Sequence, residues 1–377
     1  MTTPKKIPAV LLVGPGLRGG GAEGQFALMT TRLFAGLAAV ALLTGRKEDA
    51  PDAAARRYFL AWRNGLSYWR IIPRFWWLVY RGGYRVIFAF GFFPSLLAVC
   101  ATLFRRGTVS VIVSEITRPQ KEDALAANAA RRFLYRHLRR WCYRRAALLT
   151  ANSIDGVREM CEIAGVAPTQ GRRVMNLVEH ERFLEKAEEQ CLFSAPAAPY
   201  FVCVSRLDPM KRLDTVIAAF ALLPRNEGSH LLIIGDGPAR HELVAQAERL
   251  ALGDRTHFSG WLENPLPLVK NAAAFILASE YEGFSNSVLE AMFLDTPVIT
   301  SLCSADAEEM CESDAALGFA VGDTAALARH MTRILCEPGL SVALLGNARR
   351  YRLAHTLEEA LPRYEEIILS IATVGSL

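Results

Sequence analysis

"AAAFILAS" (272–279), followed after Glu280 by "YEGFSNSVLEAMFLDTPVIT" (281–300), is the stretch that decides the fold. An apolar run of strand length gives way to a polar turn, then to a helical pattern, then to a second apolar run. Strand, turn, helix and strand in that order form the repeating unit of a parallel sheet with helices on its faces. This unit carries two carboxylates eight residues apart, Glu282 in the turn and Glu290 in the helix. Ser285 or Asn286 is a natural N-cap for the helix, which leaves the N–H groups at 286–288 for a phosphate or sugar oxygen. A carboxylate only accepts hydrogen bonds, so each acid can hold the vicinal hydroxyls of a sugar or ribose. Acids near a helix start also arise simply by complementing its dipole.

The same alternation runs through all 377 residues, a length that implies two domains rather than one core. Strands are expected at 9–14, 38–44, 85–90, 109–114, 147–152 and 172–177, and again at 200–207, 230–235, 256–261, 273–279 and 297–301. The pattern restarts after "ERFLEKAEEQCLFSAPAAP" (181–199), an acidic stretch rich in proline and alanine. The sequence therefore predicts two doubly wound, Rossmann-like parallel-sheet domains facing a central cleft. The first spans 1–178, a linker follows at 179–198, and the second spans 199–360. A helix over 361–377 is expected to pack back on the first domain.

Eight cysteines are scattered without a Cys-x-x-Cys pair, which implies reduced thiols in a cytosolic compartment rather than a disulfide frame or a zinc site. The amino-terminal "MTTPKKIPAVLLVGPG" has too short an apolar run for a signal peptide and is expected as a first strand. A net charge of +5 hides a strong asymmetry: residues 1–150 carry +17 and the remainder −12. The first half therefore faces something anionic.

Two further segments carry chemistry. "GPGLRGGGAEG" (14–24) directly follows the first strand and happens to satisfy Gly-x-Gly-x-x-Gly. No acid stands at the tip of the second strand to hold a ribose, so a dinucleotide site is disfavoured. A loop whose bare backbone approaches a ligand, with a helix N-terminus aimed at negative charge, fits better; a plain glycine turn is the bland alternative. "SRLDPMKRLD" (205–214) leaves the first strand of the second domain and places Arg206 and Lys211 five residues apart across a turn. Two cations at a strand's carboxyl end suit a diphosphate, Arg forking two oxygens and Lys acting as a point charge. Elsewhere such a pair would be only a solvated turn.

Taken together, "VSRLDPMKRLDTVIAAF" (204–220), "LLIIGDGPARHELVAQAERLALGDRTHFSGW" (231–261) and "SEYEGFSNSVLEAMFLDTPVI" (279–299) resemble the retaining GT-B glycosyltransferases of glycosyltransferase family 4. The resemblance runs from about residue 8 to 365 and includes "LRGGGAE" (17–23), "TANS" (150–153) and "MNLVE" (175–179). It implies that Arg206 and Lys211 bind the donor diphosphate, that Glu282 contacts the transferred sugar and that Glu290 contacts the nucleotide ribose. Phe284, Ser285 and Asn286 would cradle sugar and phosphate, and Gly20 and Gly21 would join the donor site. The wording of "YEGFSNSVLEAM" is most similar to enzymes using UDP-hexoses or UDP-N-acetylhexosamines. Many members carry a histidine where this chain reads "IVSEITRPQ" (112–120), so no histidine is assigned to catalysis. "TSLCSADAEEM" (300–310) lacks the usual double glycine, and Glu308 or Glu309 aligns with the family's acid there. The implied chemistry is front-face transfer with retention, catalysed by Arg206, Lys211 and Glu282. No cofactor or metal is implied, there being no Asp-x-Asp.

The basic half suggests where such chemistry would occur. Residues 56–85 contain seven arginines and no acid, with Trp62, Trp69 and Trp76 at seven-residue intervals and Arg70 beside them. An arginine–tryptophan helix suits a membrane interface, with Pro73 expected to kink or divide it. "RRFLYRHLRRWCYRRA" (131–146) adds seven arginines, Arg136 and Arg140 among them. A core-facing aromatic stripe with a solvated basic back is the alternative. The nineteen uncharged residues 86–104 could just span a bilayer. Gly91 and Pro94 break them where a strand should hand over to a helix, so buried core is expected. The expectation is a peripheral protein on the cytoplasmic face of an inner membrane. It would take a nucleotide sugar and a glycan or glycolipid acceptor, touch an anionic membrane surface and bind no nucleic acid. A non-catalytic GT-B subunit, an NAD(P) oxidoreductase and a nucleic-acid binder are the competing classes.

Overall fold

A computed structural model describes residues 9–14, 21–33, 38–42, 56–59, 68–103, 108–116, 118–119, 128–191, 193–196, 199–224 and 228–374. The chain divides into two units. Unit 1 comprises residues 1–177 with 357–377, and unit 2 comprises residues 178–356.

Unit 1 is built on a parallel sheet of seven strands in the order β3-β2-β1-β4-β5-β6-β7. These are β1 (Val10–Gly14), β2 (Ala38–Leu42), β3 (Arg56–Phe59), β4 (Val86–Phe90), β5 (Ser110–Glu115), β6 (Leu148–Ala151) and β7 (Gly171–Arg173). "VLLVG" and "VIFAF" are buried at every position, as strands covered by helices on both faces must be. The helices are α1 (Gly21–Leu28), α2 (Tyr68–Arg81), α3 (Phe92–Thr102), α4 (Ala129–Tyr143) and α5 (Ile154–Ala164). Their starts follow capping rules: Asn128 accepts from the Arg131 N–H at 2.9 Å, and Ser153 from the Gly156 N–H at 3.1 Å.

One face of this sheet is covered by α2, α3, α4 and α5, with Ile71, Phe75, Ala98, Val99, Cys142 and Met160 in a shared core. The other face is closed partly by the last helix of the chain, whose Ala360, Tyr364 and Ile368 pack with Val10, Leu12, Phe26 and Phe88. A buried ion pair ties α4 to the end of β5. Arg139 Nη1 lies 3.1 Å from Glu115 Oε1, which also accepts from the Tyr143 hydroxyl at 2.7 Å, and the guanidinium sits 4.5 Å from the Phe92 ring centroid.

Unit 2 has six parallel strands in the order β10-β9-β8-β11-β12-β13. They are β8 (Tyr200–Val204), β9 (His230–Ile234), β10 (Thr256–Gly260), β11 (Ala274–Leu277), β12 (Val298–Ser301) and β13 (Leu317–Phe319). The helices are α6 (His180–Ala187), α7 (Leu213–Ala221), α8 (Arg240–Arg249), α9 (Leu266–Lys270), α10 (Asn286–Phe293), α11 (Ala305–Glu312), α12 (Thr324–Cys336) and α13 (Pro338–Leu353); α14 (Leu357–Val374) returns to unit 1.

Several expectations change. The 56–85 segment is not one amphipathic helix: Arg56–Phe59 pairs with β2 as an edge strand, and the helix begins at Tyr68. Trp62 and Gly20 lie outside the described residues. Pro73 does not divide α2, because α2 is anchored by Ile71, Phe75, Leu78 and Val79, all in the core, and proline removes only one N–H. Residues 86–103, by contrast, hold to the expectation of a strand handing over to a helix: they give β4, a turn at Gly91 with φ of 85°, and α3. The stretch read as a linker contributes α6 to unit 2, with Ala187 buried beside Tyr200 and Leu266. The short strands β3 and β13 had no sequence signal beyond a few residues. All eight cysteines are free.

Because Tyr364 and Ile368 fill the second face of unit 1, Ile368→Ala should lower the free energy of unfolding by about 2–5 kcal/mol. Chemical denaturation of the full chain measures it, with exposed Leu353→Ala on α13 as a control expected to change it by no more than about 0.5 kcal/mol.

Candidate functional site

The strand order of unit 2 reverses between β8 and β11, which are neighbours although β9 and β10 intervene in the chain. Loops leaving adjacent strands in opposite directions open a crevice at their carboxyl ends, where ligands of doubly wound sheets bind. Arg206 and Lys211 follow β8, and Glu282 follows β11, so both candidate groups arise at that reversal.

Lys211 closes a short 3₁₀ turn, Pro209–Lys211. Its Nζ lies 2.6 Å from Glu282 Oε1, and the Ser279 hydroxyl donates to the same oxygen at 2.7 Å. The two loops are also stitched by backbone, the Glu280 N–H donating to the Met210 carbonyl at 2.8 Å. The Ser301 hydroxyl in turn donates to the Ser279 carbonyl at 2.8 Å, which ties β12 into the same arrangement. Glu282 is thus held by one carboxylate oxygen, and Lys211 keeps two of its three donors for another anion. Arg206 stands apart: its side chain is 72% exposed and pairs with Asp208 at 3.1 Å.

The loop carrying Arg206 depends on two glycines that sequence reasoning had passed over. Gly235 adopts φ of +133°, and a Cβ there would come within 1.9 Å of the Ser205 carbonyl oxygen. A Cβ on Gly237 would come within 2.4 Å of the Leu207 carbonyl oxygen. This close approach lets the Leu207 N–H donate to the Asp236 carbonyl at 2.9 Å and the Ala239 N–H to the Leu207 carbonyl at 2.9 Å. "GDGP" (235–238) was the available signal.

Ser285 occupies the N-cap position of α10, but its side chain does not bond back to the helix. Instead its hydroxyl lies 3.1 Å from that of Ser287. Phe284 is buried with Val178, Leu289 and Phe293, its ring 4.9 Å from that of His355, so it anchors the loop from below. A small cavity between α10 and α11 is bordered by Glu282, Phe284, Ser285, Cys303, Ser304 and Asp306. Of the three acids in the first turns of α11, Asp306 borders this cavity. Glu308 is exposed, and Glu309 accepts from the Tyr351 hydroxyl at 3.2 Å.

Glu290 lies one turn further along α10. Burial pushes its carboxyl up to about 7, against a smaller opposing pull from the Lys186 ammonium. Lys186 belongs to α6, inside the stretch expected as a linker, so no spacing or motif pairs it with Glu290. In unit 1, Gly21 opens α1, Trp69 and Arg70 lie in the first turn of α2, Trp76 is exposed on α2, and Arg136 and Arg140 are exposed on α4. Among the described residues no group of three or more metal-ligating side chains occurs.

Comparison with known proteins agrees with this geometry. Residues 187–351 match the family described as "Glycosyl transferases group 1". The chain is 28% identical over 176 residues to the lipopolysaccharide core biosynthesis glycosyltransferase LpsE of Rhizobium meliloti, covering 46% of this chain and 48% of LpsE. It is 26% identical over 221 residues to the N-acetylgalactosamine-N,N'-diacetylbacillosaminyl-diphospho-undecaprenol 4-alpha-N-acetylgalactosaminyltransferase of Campylobacter jejuni, covering 59% and 58% of the two chains. The chain thus spans roughly half the length of the curated relatives it matches. Among solved structures, Anabaena HepE in complex with UDP superposes with a TM-score of 0.76 at 16% identity, over 98% of this chain and all of HepE. Residues 187–351 thus carry a domain similar to the group 1 glycosyl transferases, and the two parallel-sheet units share the fold of HepE.

Proposed function

We propose that this chain is a retaining glycosyltransferase that moves a hexose or N-acetylhexosamine from UDP to a lipid-linked glycan. The observation that carries the reading is the Lys211–Glu282–Ser279 arrangement at the strand reversal of unit 2. A nucleotide sugar presents a diphosphate beside a hydroxyl-bearing sugar, and this arrangement offers a cation for the one and a carboxylate for the other. The UDP complex of HepE supports the choice of nucleotide, and the names of the LpsE and Campylobacter enzymes support a lipid-borne acceptor.

In this reading Lys211 keeps Glu282 on one proton and offers the others to the diphosphate. Arg206, with its side chain largely exposed, exchanges Asp208 for the outer phosphate. Both stabilise the charge that grows on the leaving group, and they supply the positive charge that a divalent ion would otherwise bring. The free oxygen of Glu282 accepts a sugar hydroxyl and orients the anomeric carbon. The N-terminus of α10, left without a side-chain cap by Ser285, adds its dipole toward the phosphates. Glu290, once ionised, accepts the ribose hydroxyls. In this reading the acceptor hydroxyl attacks from the face the diphosphate leaves, its proton passes to the departing diphosphate oxygen, and the configuration is retained.

Calorimetry against UDP, GDP, ADP and NADP tests the donor half: UDP should bind, and Glu290→Ala should weaken it about tenfold to a hundredfold. Binding of NADP alone, or of no nucleotide, would remove the assignment. With a competent acceptor, Lys211→Ala should lower kcat by about 10²–10³ with little change in thermal stability.

The raised Glu290 carboxyl gives a pH prediction. Affinity for UDP-glucose, whose diphosphate carries no titrating proton near neutrality, should rise as pH passes upward through about 7, and Glu290→Gln should flatten that rise. Stability follows the opposite sign. The folded state holds a proton on Glu290 that the unfolded state releases near its ordinary value, so this group's contribution is lost as pH climbs from that value through about 7. Glu290→Gln should therefore match the parent protein in acid and exceed it in thermal stability by about 2–6 °C at pH 8.

A further inference from the structure

Three helices of unit 1 present one continuous outer surface. α2, α3 and α4 bury Ile71, Phe75, Ala98, Val99, Cys142 and Tyr143 in the same core, so their opposite sides face outward together. α2 packs on α3, and α3 meets α4 where Phe92 and Phe93 lie 5.9 and 6.3 Å from Tyr135. On the outer side Trp77 is 60% exposed, Tyr80 70%, Phe133 66% and Leu134 52%, with Ile72, Trp76 and Phe93 near 40%. Arg74 and Arg81 on α2 and Arg131, Arg132, Arg136 and Arg140 on α4 are exposed among them. No aspartate or glutamate occurs within residues 68–103 or 128–147.

We infer that this α2–α3–α4 surface docks onto an anionic lipid bilayer, with Trp77, Tyr80, Phe133 and Leu134 entering the interface and the arginines pairing with lipid phosphates. Charge complementarity selects the occupant. A surface with six exposed arginines and no acid repels a second copy of itself and suits a dense sheet of phosphates. The apolar side chains decide between phosphate sources. Aromatic rings with a polar edge sit favourably at the boundary between head groups and acyl chains. Leu134 and Ile72 have no counterpart to meet on a nucleic-acid backbone. The inserting residues differ from a simple seven-residue tryptophan stripe: Phe75 and Leu78 take the core side of α2, and Trp77 and Tyr80 take the outer side. Arg139, alone among the arginines of α4, is withheld for Glu115 inside the unit.

The surface lies wholly on unit 1, so its test is separable from that of the donor site on unit 2. The full chain is sedimented with sucrose-loaded vesicles of phosphatidylcholine alone or mixed with phosphatidylglycerol, while tryptophan emission is followed. Binding is expected only with the anionic vesicles, with a blue shift of the emission. Arg132→Ser with Arg136→Ser should weaken binding about tenfold or more, and Arg132→Lys with Arg136→Lys should restore most of it. Trp77→Ser with Tyr80→Ser should weaken binding and reduce the blue shift. UDP affinity should be unchanged in all of these variants, so loss of UDP binding in the parent protein would count against the transferase reading and leave the surface standing. Equal binding to neutral and anionic vesicles, absence of vesicle binding by the parent protein, or capture of a single-stranded oligonucleotide in preference to anionic vesicles would overturn the inference.

Discussion

The ion pair between Lys211 and Glu282 joins two loops that have no reason to meet except that β8 and β11 are neighbours. Everything proposed for unit 2 depends on that adjacency. Were β11 added beyond β10, in chain order, the two groups would stand several strands apart, at about 4.8 Å per strand. The reversal in strand order therefore does the placing, and the side chains only have to be the right kind. Ser279 and the Glu280–Met210 backbone bond keep the carboxylate from rotating toward bulk water. The pair is largely shielded, with side chains 21% and 16% exposed, so its geometry is more persistent than that of the exposed Arg206–Asp208 pair.

The parallel α/β character of both units was legible because the buried strands are unbroken runs of Val, Ile, Leu and Phe, which no half-exposed strand would carry. β1, β4, β5 and β9 fall within a residue or two of where the apolar runs placed them. β3 and β13 were not legible, because an edge strand of four or three residues needs only one partner and leaves little pattern. The tryptophan spacing in 56–85 misled for a related reason: a seven-residue interval fits a helix, but the chain spends Arg56–Phe59 on a sheet edge, and periodicity does not register a partner strand.

At the candidate site, the residue types were readable and their mutual arrangement was not. Nothing in the sequence distances says that Lys211 touches Glu282, seventy-one residues away. Lys186 was hidden because its segment is acidic and rich in proline and alanine, a composition that also describes linkers. The glycines at 235 and 237 were visible as letters, yet their purpose lies in the carbonyl oxygens of a different loop. Glu290 shows the same division: its place on the helix follows from spacing, and its raised carboxyl from packing that spacing does not encode.

The last helix carries a consequence for how the chain is made. Unit 1 is interrupted after residue 177 and resumes at 357, and α14 supplies Ala360, Tyr364 and Ile368 to the sheet face that also holds Val10 and Phe88. On a ribosome the first strands emerge long before the helix that covers them. Unit 2 is continuous, so it can close while one apolar face of the earlier unit is still waiting. During that interval the exposed face is an aggregation hazard that ends only when α14 emerges to cover it. Synthesis should therefore be more sensitive to chaperone supply than the stability of the finished molecule would suggest.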